Sequence, residues 1–258
     1  MKPSATQGLN ARQQQMLEHL SREGELRIAT LKEAYHVTEM TIRRDLEKLE
    51  ETGAVRRTFG GAIFIGKDIA LQERAGILME EKARIGRYAA SFIRSGESVF
   101  IDGGTTTLQV AKFLPTGMNI TVVTNALNVA TELSVKQIPV LMTGGMLLEA
   151  TNSLVGPIAA QNLGSMAFDR VFLGATGLSM EHGFSNSNLY EAEIKQIAIR
   201  QASECNILLD HSKFGNRMLV SFAGLSGVDR IITDQQPDEK LQLACAESGV
   251  LLEVAGEL

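Results

Sequence analysis

A loop of small polar residues follows a short apolar run near the middle of the chain and has the composition of an anion site. Asp102 ends the run 99–101, Gly103 and Gly104 allow close backbone approach, and three threonines at 105–107 open a predicted helix. Unpaired N–H groups at a helix start attract anions, and threonine hydroxyls add donors, so the loop can hold a phosphate. Neither a Walker loop nor a GxGxxG pattern is present. A tight strand-to-helix turn explains the same residues equally well.

Two further loops with small polar residues also follow predicted strands. The first contains Thr124 and Asn125, and the second contains Gly144 and Gly145. In open α/β sheets, ligands bind at the carboxyl ends of the strands, so three such loops together predict one ligand site. Each loop also has a plainer interpretation, a helix cap for Thr124 and a hairpin turn for the glycine pair.

Charged side chains later in the chain are candidates to complete this site. Glu191 and Lys195 are spaced i, i+4, which usually indicates only a surface ion pair. Asp210 and Lys213 follow the apolar run 207–209. A lysine at a strand end can supply a compact positive charge to a phosphate, although a solvated loop lysine is the simpler interpretation.

A different constellation, typical of DNA recognition, lies in residues 37–62, which read VTEMTIRRDLEKLEETGAVRRTFGGA. At about 100° per residue, Ile42, Leu46 and Leu49 form one apolar stripe, and Arg44 points away from it. The face opposite the stripe presents threonine and arginine, which can contact base edges in a major groove. An ordinary amphipathic helix with a solvated charged face is the alternative interpretation.

The residues around this helix extend the prediction. Thr38 has the position of an N-cap, and a Gly-Gly hairpin with two arginines follows the helix as a wing suited to phosphate or minor-groove contact. The predicted DNA-contacting residues are Thr38, Met40, Thr41, Arg43, Arg44, Lys48, Arg56 and Arg57.

The two groups of candidate residues fall in segments with different patterns of apolar residues, which predicts two domains. Three helices and a two-stranded hairpin are expected over residues 1–65, with helix stops at Gly24 and Gly53, followed by a charged linker over 66–81. Over 82–258, short apolar runs alternate with helical segments, which predicts an α/β domain with a mostly parallel sheet. The predicted strands are 99–101, 120–123, 140–142, 170–173, 207–209, 230–232 and 250–254, and the predicted helices are 83–93, 107–114, 127–133, 192–203 and 238–247.

Composition narrows the class of protein further. The net charge is −5, yet residues 1–67 carry 11 basic and 9 acidic side chains, so any DNA contact is expected from this first segment. No apolar run approaches the roughly 18 residues that cross a bilayer, and no secretory leader is evident, so a cytoplasmic protein is expected. Two distant cysteines and four scattered histidines favour no disulfide framework, metal site or cofactor.

The stretch TIRRDLEKLEETGAVRRTFGGA closely resembles the recognition helix and wing of the DeoR family of bacterial regulators of sugar metabolism. The motifs IDGGTTT, TNAL, TGGML, GFS and DHSKFG resemble that family's effector domain, whose fold is similar to ribose-5-phosphate isomerase. The resemblance implies a winged helix-turn-helix joined to an α/β domain that binds a phosphorylated sugar. The residues expected around the effector are Asp102, Gly104, Thr105, Thr106, Thr107, Thr124, Asn125, Gly144, Gly145, Glu191, Lys195, Asp210 and Lys213.

Two functions of different classes are compatible with these patterns. The first is a homo-oligomeric repressor of a sugar catabolic operon that binds double-stranded operator DNA and is released by a sugar phosphate. The second is a sugar-phosphate isomerase or deaminase with an appended DNA-binding domain, in which Asp102, Glu191 and Lys213 would serve as acid and base groups. Turnover of ribose-5-phosphate or glucosamine-6-phosphate distinguishes the two.

Overall fold

The computed structural model describes residues 9–23, 25–52, 55–58, 60–64 and 77–256. The chain divides into two compact units, Met1–Ile69 and Ala70–Leu258. Most of the predicted linker, 66–81, and both predicted stop residues, Gly24 and Gly53, lie outside the described residues. Of the helices that are described, none has the length and apolar character needed to cross a membrane.

The first unit is a winged helix-turn-helix, as predicted. Its elements are α1 (Ala11–Glu23), β1 (Glu25–Arg27), α2 (Ile28–Tyr35), α3 (Glu39–Thr52), β2 (Val55–Arg57) and β3 (Gly61–Phe64). The strands form an antiparallel sheet in the order β1-β3-β2. Strand β1 was not predicted, because Glu25–Arg27 has a single apolar residue and so forms no apolar run. Gly61 is required where β3 meets β1, since a Cβ there would overlap the Leu26 carbonyl oxygen.

The second unit is the predicted α/β domain. Its elements are α4 (Met79–Ala90), β4 (Ser98–Ile101), α5 (Thr107–Phe113), β5 (Thr121–Thr124), α6 (Leu127–Val135), β6 (Val140–Met142), β7 (Met146–Leu148), β8 (Ser153–Val155), α7 (Pro157–Gly164), β9 (Phe168–Gly174), β10 (Gly177–Ser179), β11 (Gly183–Asn186), α8 (Leu189–Arg200), β12 (Ala202–Leu208), β13 (Val220–Ala223), β14 (Arg230–Thr233), α9 (Glu239–Glu247) and β15 (Leu251–Val254).

A seven-stranded parallel sheet, in the order β15-β14-β12-β9-β4-β5-β6, forms the centre of this unit. Along β4, Val99 and Ile101 join one buried cluster and Phe100 joins the other, and along β9 Phe172 and Leu173 divide in the same way. Both faces of the sheet are therefore covered, which explains why these strands are continuously apolar rather than alternating. All the strands run in one direction, so their carboxyl ends meet at one edge.

The sequence prediction missed the smaller sheets of this unit. Strands β10, β11 and β13 form a three-stranded antiparallel sheet, and β7 pairs with β8 in a two-stranded one. Strand β11 is buried at every position, so it has no alternation to detect. Helix α8 also begins earlier than the predicted Ala192, because the side chain of Asn188 caps it by accepting from the N–H groups of Tyr190 and Glu191.

Candidate functional site

Helix α3 has the two faces that its sequence predicts. Ile42, Leu46 and Leu49 are buried in the core of the first unit, whereas Arg44 on the other face is exposed. Thr38 caps the helix, with its Oγ1 accepting the N–H of Thr41 at 3.3 Å. Exposed or half-buried positions along this face are Met40, Thr41, Arg43, Arg44 and Lys48.

Helix α3 is held on α1 by a buried carboxylate. Asp45 accepts hydrogen bonds from Arg12 Nε at 2.7 Å and from Gln13 Nε2 at 2.9 Å. Because Asp45 follows Arg44 directly, this contact also fixes the rotation of the helix that presents Arg44. Sequence reasoning missed Asp45, since one acidic residue next to two arginines is typical of any charged surface.

The arginines of this surface differ in how they are paired. Arg43 is bound to Glu39 at 2.7 Å. Arg57 is bound to Glu50 at 2.7 Å, a hydrogen bond that raises the pKa of the guanidinium. Arg44 has no ion pair with any described residue, so its donors are available without breaking a contact. The side chain of Arg56 lies outside the described residues.

A second candidate site is a cavity at the carboxyl ends of β4, β9 and β12, which are neighbours in the sheet. The loop after β4 supplies its glycines and threonines, and α8 and the turn after β12 supply its charged side chains. The lining residues are Lys82, Gly103, Gly104, Thr105, Thr106, Thr107, Gly174, Ala175, Thr176, Asn186, Glu191, Lys195, Leu208, Asp210 and Lys213.

A buried ion pair lies beside this cavity. The carboxylate of Asp102 is bound by the Lys195 ammonium, and each side chain is only 3% exposed. The Asp102 carboxylate also accepts the N–H of Gly174 at 3.2 Å, and the Lys195 ammonium lies 5.6 Å from the ring of Phe222. The pair connects β4 to α8, so Lys195 is not the surface partner of Glu191 that the i, i+4 spacing indicated.

Two buried polar atoms in the cavity wall have no hydrogen-bond partner among the described residues. They are Oγ1 of Thr107 and Oδ2 of Asp210. The other carboxylate oxygen of Asp210 accepts the N–H of Ser212 at 3.1 Å. Buried polar atoms in proteins are normally paired, so these two are available for a hydrogen bond with a molecule in the cavity.

The lysines of the cavity are not equivalent. Lys195 is neutralised by Asp102, and Lys82 donates to the carbonyl oxygen of Ile77 at 2.7 Å. Lys213 is half-buried and has no ion pair within the described part of the chain. Lys213 is therefore the cavity lysine whose charge is most available to an anion.

Five of the predicted effector residues do not line the cavity. Asp102 lies beside it in the ion pair with Lys195, and the other four are Thr124, Asn125, Gly144 and Gly145. Thr124 is fully buried, donating to the Ile101 carbonyl oxygen at 2.6 Å and accepting the Ala126 N–H at 3.1 Å. Asn125 accepts the Gly103 N–H at 3.1 Å. Gly144 and Gly145 connect β6 to β7 with positive φ angles, and Gly145 packs against α7. Thr124 and Asn125 thus support the loop at 102–107 from behind, and direct contact of the four with a ligand stays a prediction.

The structure also adds residues that sequence reasoning missed. Asn186 donates to Glu191 at 3.2 Å and accepts from Thr176 at 3.4 Å, so these three side chains form one polar wall of the cavity. Lys82 reaches the cavity from α4, and sequence reasoning had given it only as the first residue of the α/β domain. Asn186 directly follows the GFS motif, which was the one available signal for this wall.

The glycine at 103 is constrained by Ser153 of strand β8. A Cβ at position 103 would overlap the buried Ser153 hydroxyl. We expect Gly103→Ala to lower the free energy of unfolding by about 1–3 kcal/mol, as overpacking does. Adding Ser153→Ala removes the obstructing oxygen and is expected to recover part of that loss in urea unfolding followed by circular dichroism.

Gly164→Ala is a matched control, because a Cβ there meets only ordinary van der Waals contacts. This variant should unfold at the wild-type urea concentration or slightly above it, because alanine at a helical position loses less conformational entropy than glycine. An equal cost of Gly103→Ala with and without Ser153→Ala would contradict the steric explanation.

Comparison with known proteins agrees with this division of the chain. Residues 12–68 match the DeoR-like helix-turn-helix domain, and residues 78–235 match the DeoR C terminal sensor domain. The chain is 38% identical over 231 residues to YulB, an uncharacterized HTH-type transcriptional regulator of Bacillus subtilis, with 88% of this chain and 89% of that one covered.

Two further similarities concern a repressor and a fold. The chain is 30% identical over 242 residues to the glycerol-3-phosphate regulon repressor of Escherichia coli, covering 93% of this chain and 96% of that one. Over 53% of this chain and 55% of the other, the structure is similar to ribose 5-phosphate isomerase A of Methanocaldococcus jannaschii, with 14% identity and a TM-score of 0.40. With both domains matched in order and the relatives covered almost end to end, the chain belongs to the DeoR family of transcriptional regulators.

Proposed function

We propose that this regulator is a repressor of a sugar catabolic operon and that a phosphorylated sugar, bound in the cavity at 103–107 and Lys213, releases it from operator DNA. The observation that carries the proposal is the combination of an available lysine with two unpaired buried oxygens in one cavity. A cation beside threonine hydroxyls suits a phosphate, and unpaired oxygens suit the hydroxyl groups of a sugar.

The two ends of such a ligand need different partners. The phosphate is expected at Thr105, Thr106 and Lys213, which combine hydroxyl donors with a positive charge. The sugar hydroxyls are expected at Asp210 Oδ2 and Thr107 Oγ1, where each would complete a hydrogen bond that the described residues leave unmade. The name of the Escherichia coli relative mentions a phosphorylated compound, which supports this class of ligand but not a particular sugar.

The test of this function is operator affinity measured by fluorescence anisotropy, with and without candidate sugar phosphates. The coupling expected between the two sites is roughly 1–3 kcal/mol, or about 5- to 150-fold in operator affinity. A ligand that binds only the folded state should also raise the melting temperature, which allows a screen before the DNA experiment. The proposal fails if the unphosphorylated sugar releases the operator as well as its phosphate does.

On the DNA side, Arg44 is the residue expected to read a base. It is exposed, opposite the buried stripe of α3, and unpaired in the described structure. We expect Arg44→Ala to lower operator affinity by about 1–3 kcal/mol and to relax the preference at one base pair, as the loss of a bidentate contact does. The measurement is anisotropy with the operator and with all single-base variants of one half-site.

Arg57→Ala provides the comparison for Arg44→Ala. Arg57 lies on the wing and is expected to contact phosphate, so its loss should weaken binding to all sequences about equally and reduce the salt dependence. The two variants therefore separate base recognition from backbone contact. An Arg44→Ala protein with unchanged affinity and unchanged sequence preference would contradict the assignment.

The enzyme alternative is not favoured. The relatives with the same domain order are named as regulators. Within the described residues, the one histidine beside the cavity, His211, is held by Asp234 through Nδ1 at 2.6 Å and its own N–H at 2.7 Å, and Asp102 is neutralised by Lys195. The ion pair with Lys195 keeps the Asp102 carboxylate from acting as a base on a sugar carbon, and His211 is not among the residues that line the cavity. Absence of turnover with ribose-5-phosphate and glucosamine-6-phosphate is the expected result.

A single small winged domain contacts few bases, so this function needs at least two copies of the chain. We expect a homo-oligomer that acts in the cytoplasm on half-sites about one helical turn apart, or a multiple of it. The larger α/β unit is the expected source of the association surface.

A further inference from the structure

Strand β6 is one of the two edges of the seven-stranded sheet. Its side chains are apolar and two of the three are exposed, which is unusual for an edge strand. Leu141 and Met142 are 53% and 37% exposed, and β6 itself carries no charge. The one charged residue of the loop before it, Lys136, donates to the carbonyl oxygens of Lys112 and Leu114. Soluble proteins normally protect edge strands with charged residues, prolines on the outer side or a covering element, because unpaired strands associate. Within the part of the chain that the structure describes, none of these protects the outer side of Val140–Met142.

The backbone of β6 is open to a partner strand at alternate residues. The Val122 N–H donates to the Pro139 carbonyl oxygen, and the Thr143 N–H donates to the Thr124 carbonyl oxygen, so odd-numbered residues of β6 face β5. In a parallel ladder the residues between them point away, so Val140 and Met142 direct their N–H and C=O groups outward. Pro139 faces inward, and its missing N–H therefore does not obstruct the outer side.

An exposed apolar patch continues from this edge. Met146 and Leu147 of β7 and Ile158 of α7 are all exposed. The loop between β6 and β7 lies next to α7, because a Cβ at Gly144 would be in van der Waals contact with Ile158. From Gln137 to Phe168 the only charged residue is Glu149, although 21% of the whole chain is charged. A surface of this composition is costly to leave in water and is typical of an interface.

Charge favours a second copy of this chain as the occupant. Residues 68–258 carry 14 basic and 21 acidic side chains, so two copies repel each other over most of their surfaces. In a two-fold interface, residues near the axis lie close to the same residues of the other copy. A charged residue there would face a like charge, whereas an uncharged patch faces none. The edge of β6 carries no charge, and its outward N–H and C=O groups can pair with the same groups of a second β6. It is therefore complementary to itself.

We propose that β6 pairs antiparallel with β6 of a second copy, so that the two seven-stranded sheets continue into one another. Leu141 then lies opposite its own equivalent at the two-fold axis, and Val140 exchanges backbone hydrogen bonds with Met142 of the other copy. This inference rests on the proposed function only in that operator binding requires at least two copies.

Sedimentation velocity on the full chain, without DNA or ligand, tests the surface. Leu141→Lys places two ammonium groups together at the axis, so the dissociation constant of the assembly should rise about tenfold or more. Leu251→Lys is the matched control, because Leu251 is 55% exposed on the opposite edge strand, β15. It should sediment like the wild type, and circular dichroism and melting should show both variants folded.

Cross-linking provides a second measurement that does not depend on the stability of Leu141→Lys. Opposed residues in a non-hydrogen-bonded antiparallel pair have Cα atoms about 4.5 Å apart, within the range of a disulfide. Leu141→Cys should therefore form a covalent dimer under mild oxidation, and Leu251→Cys should not. Background reaction is small, because Cys205 and Cys245 are buried and burial raises the pKa of both thiols.

The outcomes separate this inference from the proposed function. A monomeric wild type, a Leu141→Lys protein that sediments like the wild type, or dissociation by Leu251→Lys instead would overturn the β6 interface. Assembly through β6 without release of operator by any sugar phosphate would leave the interface established and reject the proposed effector function.

Discussion

Lys213→Ala should bind operator as tightly as the wild type and no longer be released by the sugar phosphate. The residues proposed to contact DNA lie in the first unit, whereas Lys213 lies in the turn that follows β12 of the second. A ligand shifts an equilibrium only through its differential affinity for the two states, so losing its principal charge contact removes the coupling. Lys213→Ala is therefore expected to lose the whole effect of the sugar phosphate, which in the wild type should change operator affinity by about 5- to 150-fold.

Lys240→Ala is the control for this experiment, since Lys240 is an exposed lysine on α9 and does not line the cavity. It should keep the full response. Thr106→Val tests the hydroxyl side of the same phosphate contact and should weaken the response without changing operator affinity. An undiminished response in both Lys213→Ala and Thr106→Val would reject the phosphate position proposed above.

Asp102→Ala is the substitution expected to have the largest effect on stability. It leaves the ammonium of Lys195 buried without its carboxylate, and removing one partner of a buried ion pair costs about 3–5 kcal/mol. Lys195→Met should cost less, because the Gly174 N–H still donates to Asp102. The measurement is urea unfolding of each variant at the same pH and ionic strength.

The double variant Asp102→Ala/Lys195→Met identifies the cause of the loss. Removing both charges leaves no unpaired ion, so the double variant should be more stable than the sum of the single changes allows. Arg43→Ala is the surface control, because its pair with Glu39 is half exposed and such pairs contribute about 0–1 kcal/mol. Additive effects at 102 and 195 would show that the pair is not coupled.

Periodicity was sufficient for most of the larger elements, although helix α7 (Pro157–Gly164) was not predicted. The stripe of Ile42, Leu46 and Leu49 predicted the buried face of α3, and the apolar runs predicted the strands of the parallel sheet. The three-residue strands β1, β7 and β10 were not predicted, whereas β6, which is also three residues long, was predicted from its apolar run. The start of α8 was misplaced, since a cap by Asn188 is a single residue rather than a pattern.

The sequence by itself determined the order of the two domains, the buried and exposed sides of α3 and the loops at the strand ends, because each of these is local in the chain. Only the tertiary structure decided which of those loops share a cavity. The order β12-β9-β4-β5 brings the turn at Lys213 to the Thr105–Thr107 loop across β9, whereas Thr124 and Asn125 follow β5 on the other side of β4 and turn into the protein. Likewise, the spacing of Glu191 and Lys195 indicated a surface pair. Lys195 is instead buried beside β4 and forms its ion pair with Asp102, 93 residues away in the chain. Strand order and burial depend on contacts between distant segments, and no local pattern in the sequence encodes them.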